Sequence, residues 1–240
     1  MKRKTVIRLF STAILIGISS MFYANKLNNT FNVNKNINFK LKSNPNMNKE
    51  LVIDPKTTAL VLIDLQKGIA SIPTAPLSSA EVIANANKLI DAFHHQKAQV
   101  VIVRVAFNKD RSDALHPEVD EPMVSNPNAL PEDWSTIVPE LRCDKNDLFI
   151  TKHQWGAFYG TELDLQLRRK GIKNIVIGGI ATNYGVESTA RDGFELGYQM
   201  VFAVDAMASR AAADHDFAVT RIFPRIGMVR NTEVIINAMK

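Results

Sequence analysis

One cysteine, Cys143, stands in the 240 residues, so no internal disulfide can form and the fold must hold without one. It sits in the polar stretch Pro139-Glu-Leu-Arg-Cys143-Asp-Lys-Asn-Asp147, a loop reading in which no glycine turn or helix start prepares a nucleophile. Acidic residues are almost missing from the first 50 positions, where nine Lys and Arg face Glu50 alone. Residues 51–240 carry 20 basic against 23 acidic side chains, so the formal +5 belongs to the leading segment and the remainder is about −3. That distribution removes the electrostatic basis for a nucleic-acid partner. Histidines are few and scattered: His94 and His95 fall on a helical stretch, His116 and His215 are isolated, and His153 has no companion at ligand spacing. Neither a metal nor a cofactor is therefore expected. No internal repeat is present.

The leading segment reads as targeting. Lys2-Arg3-Lys4 and Arg8 precede an apolar stretch from Leu9 to Ala24, the pattern of a secretory signal and shorter than the roughly 20 residues of a comfortable membrane span. Phe22-Tyr23-Ala24 puts bulk where a cleavage site prefers a small residue, so residues 1–24 read either as a signal peptide or as an uncleaved membrane anchor. Residues 25–50 form an Asn-rich linker, with ten asparagines between 25 and 48 and too few large apolar groups to pack. A periplasmic, secreted or membrane-anchored protein follows from that reading, and a cytoplasmic one if translation starts at Met47.

Residues 51–240 read as one domain of ordinary globular composition. Short β-branched runs alternate with helical stretches. Strands are read at 59–64, 99–105, 147–151, 174–179, 199–204 and 226–229, and helices near 79–97, 160–170, 184–196 and 211–222. Continuous apolar strands separated by helices mean a parallel sheet covered on both faces, a three-layer α/β fold. Between 106 and 146 the pattern lapses, with prolines at 117, 122, 127, 131 and 139, and a loop of that length reads as a lid or an interface arm.

Ligands of such sheets bind outside the carboxyl ends of the strands. Asp64 ends the first strand and Lys152 follows the third. A carboxylate closing an apolar strand is badly solvated unless something pairs with it, and a lysine at a matching strand end can do so. The fourth strand runs through Ile175-Val-Ile-Gly-Gly-Ile-Ala-Thr-Asn-Tyr-Gly185-Val-Glu-Ser-Thr-Ala-Arg191 into a helix. That junction aims backbone N–H groups and the positive end of a helix dipole at whatever lies before it. Gly185 occupies the position of a nucleophile and brings no reactive atom. Thr182 and Ser188 read as a turn former and a packed helix residue. Trp155, Phe158 and Tyr184 stand near these positions and read equally as pocket walls for a small flat ligand or as core and interface residues.

Leu60-Val-Leu-Ile-Asp-Leu-Gln66, Lys152 with Ala157-Phe-Tyr-Gly-Thr-Glu-Leu163, Gly179-Ile-Ala-Thr-Asn183, Val186-Glu-Ser-Thr-Ala-Arg191 and Val204-Asp-Ala206 resemble the isochorismatase-like hydrolases, the cysteine hydrolase superfamily. The resemblance covers about Leu51 to Lys240. It implies a Rossmann-like six-stranded parallel sheet of order 3-2-1-4-5-6, the open doubly wound order. It also implies an Asp-Lys-Cys triad at Asp64, Lys152 and position 185, and a cis Ile180–Ala181 peptide that turns the backbone at Ala181 toward a ligand. Gly185 departs from the triad. No covalent acyl-enzyme can form there, which removes the amidase mechanism of the thiol members. True isochorismatases, which this chain resembles in having glycine at that position, hydrolyse a vinyl ether: an acid protonates the double bond and water captures the oxocarbenium ion. Ala181-Thr-Asn183 looks instead like the amidase side of the family.

The resemblance thus implies a small-molecule hydrolase working through Asp64 and Lys152 by vinyl-ether or water-mediated hydrolysis, and a homo-oligomer. The alternative is a non-catalytic member that keeps the pocket to bind a metabolite or a partner. A cysteine substituted at 185 is expected to fit and to gain a lowered pKa from the dipole and Lys152.

Overall fold

Six apolar runs form the strands of one parallel sheet: β1 Thr58–Ile63, β2 Gln99–Val105, β3 Leu148–Lys152, β4 Asn174–Ile180, β5 Gln199–Ala208 and β6 Gly227–Arg230. Their order is β3-β2-β1-β4-β5-β6, the order implied by the resemblance. The computed structural model describes residues 50–121 and 130–239. The leader, the linker to Lys49, Met47, Pro122 and Pro127 lie outside the described residues.

Successive side chains of a strand point to opposite faces, and both faces are buried here. Val61, Ile63, Val101, Val103, Ile175 and Ile177 pack on one side with Leu163 and Leu167 of helix α3 (Leu163–Arg169) and Ala190 of α4 (Glu187–Glu195). Leu60, Leu62, Val100, Ile102 and Val176 pack on the other with Val82, Ala86, Leu89, Ile90 and Phe93 of α2 (Ser79–His95). Ser78 and Glu81 start α2 with reciprocal bonds: the Glu81 N–H donates to Ser78 Oγ (3.3 Å) and the Ser78 N–H donates to Glu81 Oε2 (2.8 Å). Such a cap contributes about 1 kcal/mol.

Several elements differ from the sequence reading. A single turn, α1 (Lys67–Ala70), follows β1, and α7 (Thr232–Asn237) closes the chain, capped by Asn231, which accepts the Val234 N–H at 2.9 Å. Both are too short to show a periodic face. The expected helix at 211–222 is α5 (Ala212–Phe217), a π-helical turn and α6 (Phe223–Ile226) in succession. β5 runs on past Asp205 because that side chain is satisfied: its carboxylate accepts the Thr232 N–H and Oγ1–H, both at 2.7 Å, and its carbonyl accepts from Asn85 Nδ2 at 2.7 Å. The first and last described segments meet, the Ile53 N–H donating to Ala238 O at 2.9 Å beside a parallel bridge to Met239.

The site depends on how closely β4 approaches β1. Gly179 has φ 127°, and a Cβ there would lie 2.1 Å from Ile63 O and 2.6 Å from Ile63 N. No side chain fits between the two backbones. Gly179→Ala is expected to cost about 3 kcal/mol or more, from the positive φ and the collision together. Urea denaturation of the variant checks this, and an unchanged midpoint would contradict the close approach.

Candidate active site

β1 and β3 end side by side on β2 and deliver the two charged residues. Asp64, one residue beyond β1, has φ 55°, a left-handed conformation that Asp tolerates better than most residues. Its N–H still donates to Val103 O at 2.9 Å, so the turn costs no ladder bond. Lys152 ends β3, and its Nζ donates to Asp64 Oδ2 at 2.8 Å and to Gln154 O at 3.1 Å. Both are buried, Lys152 to 1% exposure and Asp64 to 4%. Asp64 Oδ1 is buried too and has no hydrogen-bond partner among the described residues.

Burial pushes the Asp64 carboxyl up to about 6; the charge and hydrogen bond of Lys152, and more weakly the nearby Val105 N–H, whose ordinary hydrogen bond goes to Gln66 Oε1, pull the other way without cancelling it. The carboxyl is thus poised to exchange a proton near neutral pH. Its folded value lies above its unfolded one, so the neutral carboxyl favours the fold below about pH 4, and this contribution is lost as pH rises through about 6.

Gly185 lies in a π-helical turn, Thr182–Val186, that leads into α4. A Cβ on it would lie 2.9 Å from Asp64 Oδ2, 2.9 Å from Ile63 Cγ2 and 3.5 Å from Lys152 Nζ. The pair therefore packs directly on the glycine. The expectation that a cysteine fits at 185 is corrected by the same contacts: Ile63 Cγ2 sits in the wall of the core and Asp64 Oδ2 is held by Lys152, so neither yields freely. The Ile180–Ala181 peptide is cis, as the resemblance implies. Three N–H groups expected to be free are engaged. Those of Tyr184 and Val186 donate to Ala181 O, both at 3.2 Å, and that of Asn183 reaches Ser209 Oγ at 3.5 Å.

Side chains brace this turn from behind. The Thr182 hydroxyl pairs with Nδ1 of the buried His215 at 2.9 Å, and burial lowers that imidazole to about 4, so it is neutral at physiological pH. Asn183 Oδ1 accepts from Ser209 Oγ. Thr189 Oγ1 donates to Gly185 O at 2.7 Å and accepts the Ala157 N–H at 3.1 Å. Thr182 is thus a brace.

Trp155 is 51% exposed and meets Tyr184 edge-on, ring centres 5.0 Å apart. Ala181 and Tyr184 are half-buried. Phe158 does not join them. It is 7% exposed and stacks on Tyr198 at 5.7 Å in the core beside Gly193, because the chain after Gly156 turns inward against α4. Its reading as a ligand wall is corrected to a core role. Gln66 received no role from sequence. It is fully buried, donates through Nε2 to Val105 O (3.0 Å) and Trp134 O (3.3 Å), and accepts the Val105 N–H at 2.8 Å. A polar residue two positions beyond the strand-ending aspartate was the available signal. Cys143 is half-buried, and burial pushes its thiol up to about 11.

Residues 58–234 match the family model described as the isochorismatase domain. YwoC of Bacillus subtilis (strain 168), an uncharacterized isochorismatase family protein, is 49% identical over 194 residues, 81% of this chain and 100% of that protein. The ureidoacrylate amidohydrolase RutB of Agrobacterium fabrum is 31% identical over 177 residues, 65% of this chain and 78% of its own length. Among solved structures, an isochorismatase family protein from Burkholderia thailandensis superposes with a TM-score of 0.75 at 42% identity, covering 79% of this chain and 98% of that one.

Two outcomes are expected at the pair. Carbon-13 NMR of labelled aspartate is expected to show one carboxyl titrating near pH 6, absent in Asp64→Asn and moved higher in Lys152→Met, which loses the cation opposing burial. A midpoint at or below 4 would mean that the lysine outweighs burial. Gly185→Ala is expected to destabilise the fold by about 1–3 kcal/mol in urea titrations, since the added methyl meets a packed wall.

Proposed function

The chain belongs to the isochorismatase family of hydrolases, and from that premise we propose that it hydrolyses a small molecule with Asp64 as the proton-transfer residue, Lys152 as its charge partner and water in place of a protein nucleophile. The observation that carries this reading is the buried Asp64 carboxyl, raised to about 6 with Oδ1 unpaired. A carboxyl held in that range gives up and takes back a proton at neutral pH, which suits general acid–base catalysis.

Gly185 supports the water-mediated route. With Asp64 Oδ2 2.9 Å from where a Cβ would stand, a side-chain nucleophile at 185 would have to displace the carboxylate from this position. Toward a vinyl ether, Asp64 donates its proton to the terminal carbon of the double bond. The oxocarbenium ion so formed accepts water at the ether carbon, and the hemiketal collapses to a carbonyl compound and an alcohol. The proton released on water addition restores the acid. Lys152, whose Nζ donates to Asp64 Oδ2 at 2.8 Å, limits the charge that develops on the aspartate. Trp155, three residues after Lys152, and Tyr184, next to Gly185, meet edge-on, and we assign them the ligand wall.

A second reading has its own support in the relative named ureidoacrylate amidohydrolase. In it Asp64 as carboxylate takes a proton from water as that water attacks an amide carbon. The two differ in where a solvent hydron ends. Hydrolysis of a vinyl ether in D2O is expected to leave one deuterium on carbon in the carbonyl product, visible by proton NMR. Hydrolysis of a saturated amide, whose products cannot tautomerise, leaves none, so the amide arm is read with such a substrate and not with ureidoacrylate, whose enamine product takes up solvent deuterium by itself.

Isochorismate, simpler enol ethers and ureidoacrylate make the first substrate panel. Asp64→Asn is expected to lower turnover about 10²–10⁴-fold, the usual worth of an acid–base residue. Iodoacetamide is expected to leave activity unchanged, because position 185 has no thiol and Cys143 is far from thiolate at neutral pH. Full activity in Asp64→Asn, or inactivation by the reagent, would overturn the assignment.

A further inference from the structure

Val105 carries one backbone N–H that stands between two acceptors. Gln66 Oε1 accepts it at 2.8 Å, and the Asp64 carboxyl lies close enough for the same N–H to favour its charged form. Asp64 Oδ1, however, is buried and has no hydrogen-bond partner among the described residues. Buried polar atoms are nearly always paired, so an open carboxyl oxygen beside a donor committed elsewhere needs a cause. Around this carboxyl, Lys152 of β3 donates to Oδ2 at 2.8 Å, the Thr182–Val186 turn meets it through Gly185, and β2 meets it through backbone.

The cause is the way β1 ends. Ile63 is its last residue paired with β2, opposite Val103, and the left-handed turn at Asp64 then carries the chain off the sheet. β2 runs on to Val105, which lies opposite Lys152 of β3 on its other side. On the β1 side the backbone of Val105 has lost its strand, and the amide of Gln66 takes that place. Oε1 accepts the Val105 N–H, while Nε2 donates to Val105 O at 3.0 Å and to Trp134 O at 3.3 Å. Only one of the two amide orientations serves all three bonds. Gln66 is also held ready for this task. It is fully buried, and the peptide groups on either side of it are pinned, the Val138 N–H donating to Leu65 O at 3.1 Å and the Lys67 N–H to Thr136 O at 2.8 Å.

We infer that Gln66 is a positioning residue for the proton transfer: by holding the Val105 N–H it withholds that donor from Asp64 and leaves Oδ1 open toward the substrate. A backbone N–H given to a carboxylate stabilises its charged form and occupies a lone pair. Were Val105 to turn its N–H to Asp64, the carboxyl would be tied on both oxygens, to Lys152 on one side and to β2 on the other, and would exchange its proton less readily near neutral pH. The amide of Gln66 prevents this by being the better-placed acceptor. The inference rests on the proposed role of Asp64 and adds what keeps that residue uncommitted.

The test is NMR of the full chain without substrate, reading the Asp64 carboxyl titration and the nitrogen–carbon couplings that pass through hydrogen bonds. In the parent, the Val105 nitrogen is expected to couple to the side-chain carbonyl carbon of Gln66. Gln66→Met, close in length and without an amide, is expected to transfer that coupling to the Asp64 carboxyl carbon and to lower the Asp64 midpoint by roughly half a unit to one unit. The limb of the kcat/KM pH profile set by Asp64 is expected to move down with it. Gln66→Glu keeps an acceptor for the Val105 N–H and is expected to hold the midpoint at or above that of the parent. A purely structural role would weaken both variants and leave the titration in place, and that result would overturn the inference. So would a midpoint that falls in Gln66→Met without the transfer of coupling, or one that falls in Gln66→Glu. Should Gln66→Met not fold, the parent decides, coupling of Val105 to Asp64, or to neither side chain, counting against the inference. Full activity in Asp64→Asn would remove the proton-transfer reading alone, since the titration and the couplings are measured without turnover.

Discussion

The buried contact between Lys152 and Asp64 is the constraint around which the carboxyl end of this sheet is arranged. Two charges taken out of water are tolerated only when they face each other, and even then burial wins enough to raise the carboxyl to about 6. Everything near the contact protects it. Gln66 ties the ends of β1 and β2 and the segment at Trp134 to one another. Gly179 lets β4 close on β1, and Gly185 leaves the volume that the carboxylate occupies. An ion pair of this kind is poor evidence for stability. It is better understood as a place where the fold accepts a cost to hold a carboxyl in a reactive state.

Seen this way, the glycine at 185 is more than an absent cysteine. A side chain there would compete with Asp64 for the same space, its Cβ 2.9 Å from Oδ2. The turn around the glycine is correspondingly well braced. His215 remains neutral behind Thr182, Ser209 holds Asn183 and Thr189 holds the Gly185 carbonyl. Three N–H groups of the junction, those of Asn183, Tyr184 and Val186, are used internally.

The sheet was legible because β1, β4 and the first half of β5 are nearly continuous apolar runs, the mark of a parallel sheet buried on both faces, and its order followed from the family resemblance. Asp64, Lys152 and Gly185 were legible because each is a singular residue at a strand end. What could not be read depends on contacts made across the chain. Phe158 and Trp155 stand three residues apart in one aromatic run, and only the inward turn after Gly156 sends the first to the core and leaves the second at the surface. The extension of β5 through Asp205 depends on Thr232, far along the chain, and a local pattern can only stop the strand at the charge. The closeness of Asp64 to Gly185 is a matter of ångströms, which spacing in sequence does not carry.

Ile53 joins Ala238 and Met239 across nearly the whole length of the described chain. Thr57 O accepts from Lys173 and Asn174 where β1 and β4 begin, so the chain enters the domain at the amino ends of the strands. Asp64 and Lys152 lie at the carboxyl ends. The first and last described segments therefore meet at the pole of the sheet opposite Asp64 and Lys152, so a label placed near Ile53 or Met239 would report on packing at one end while leaving the other end untouched.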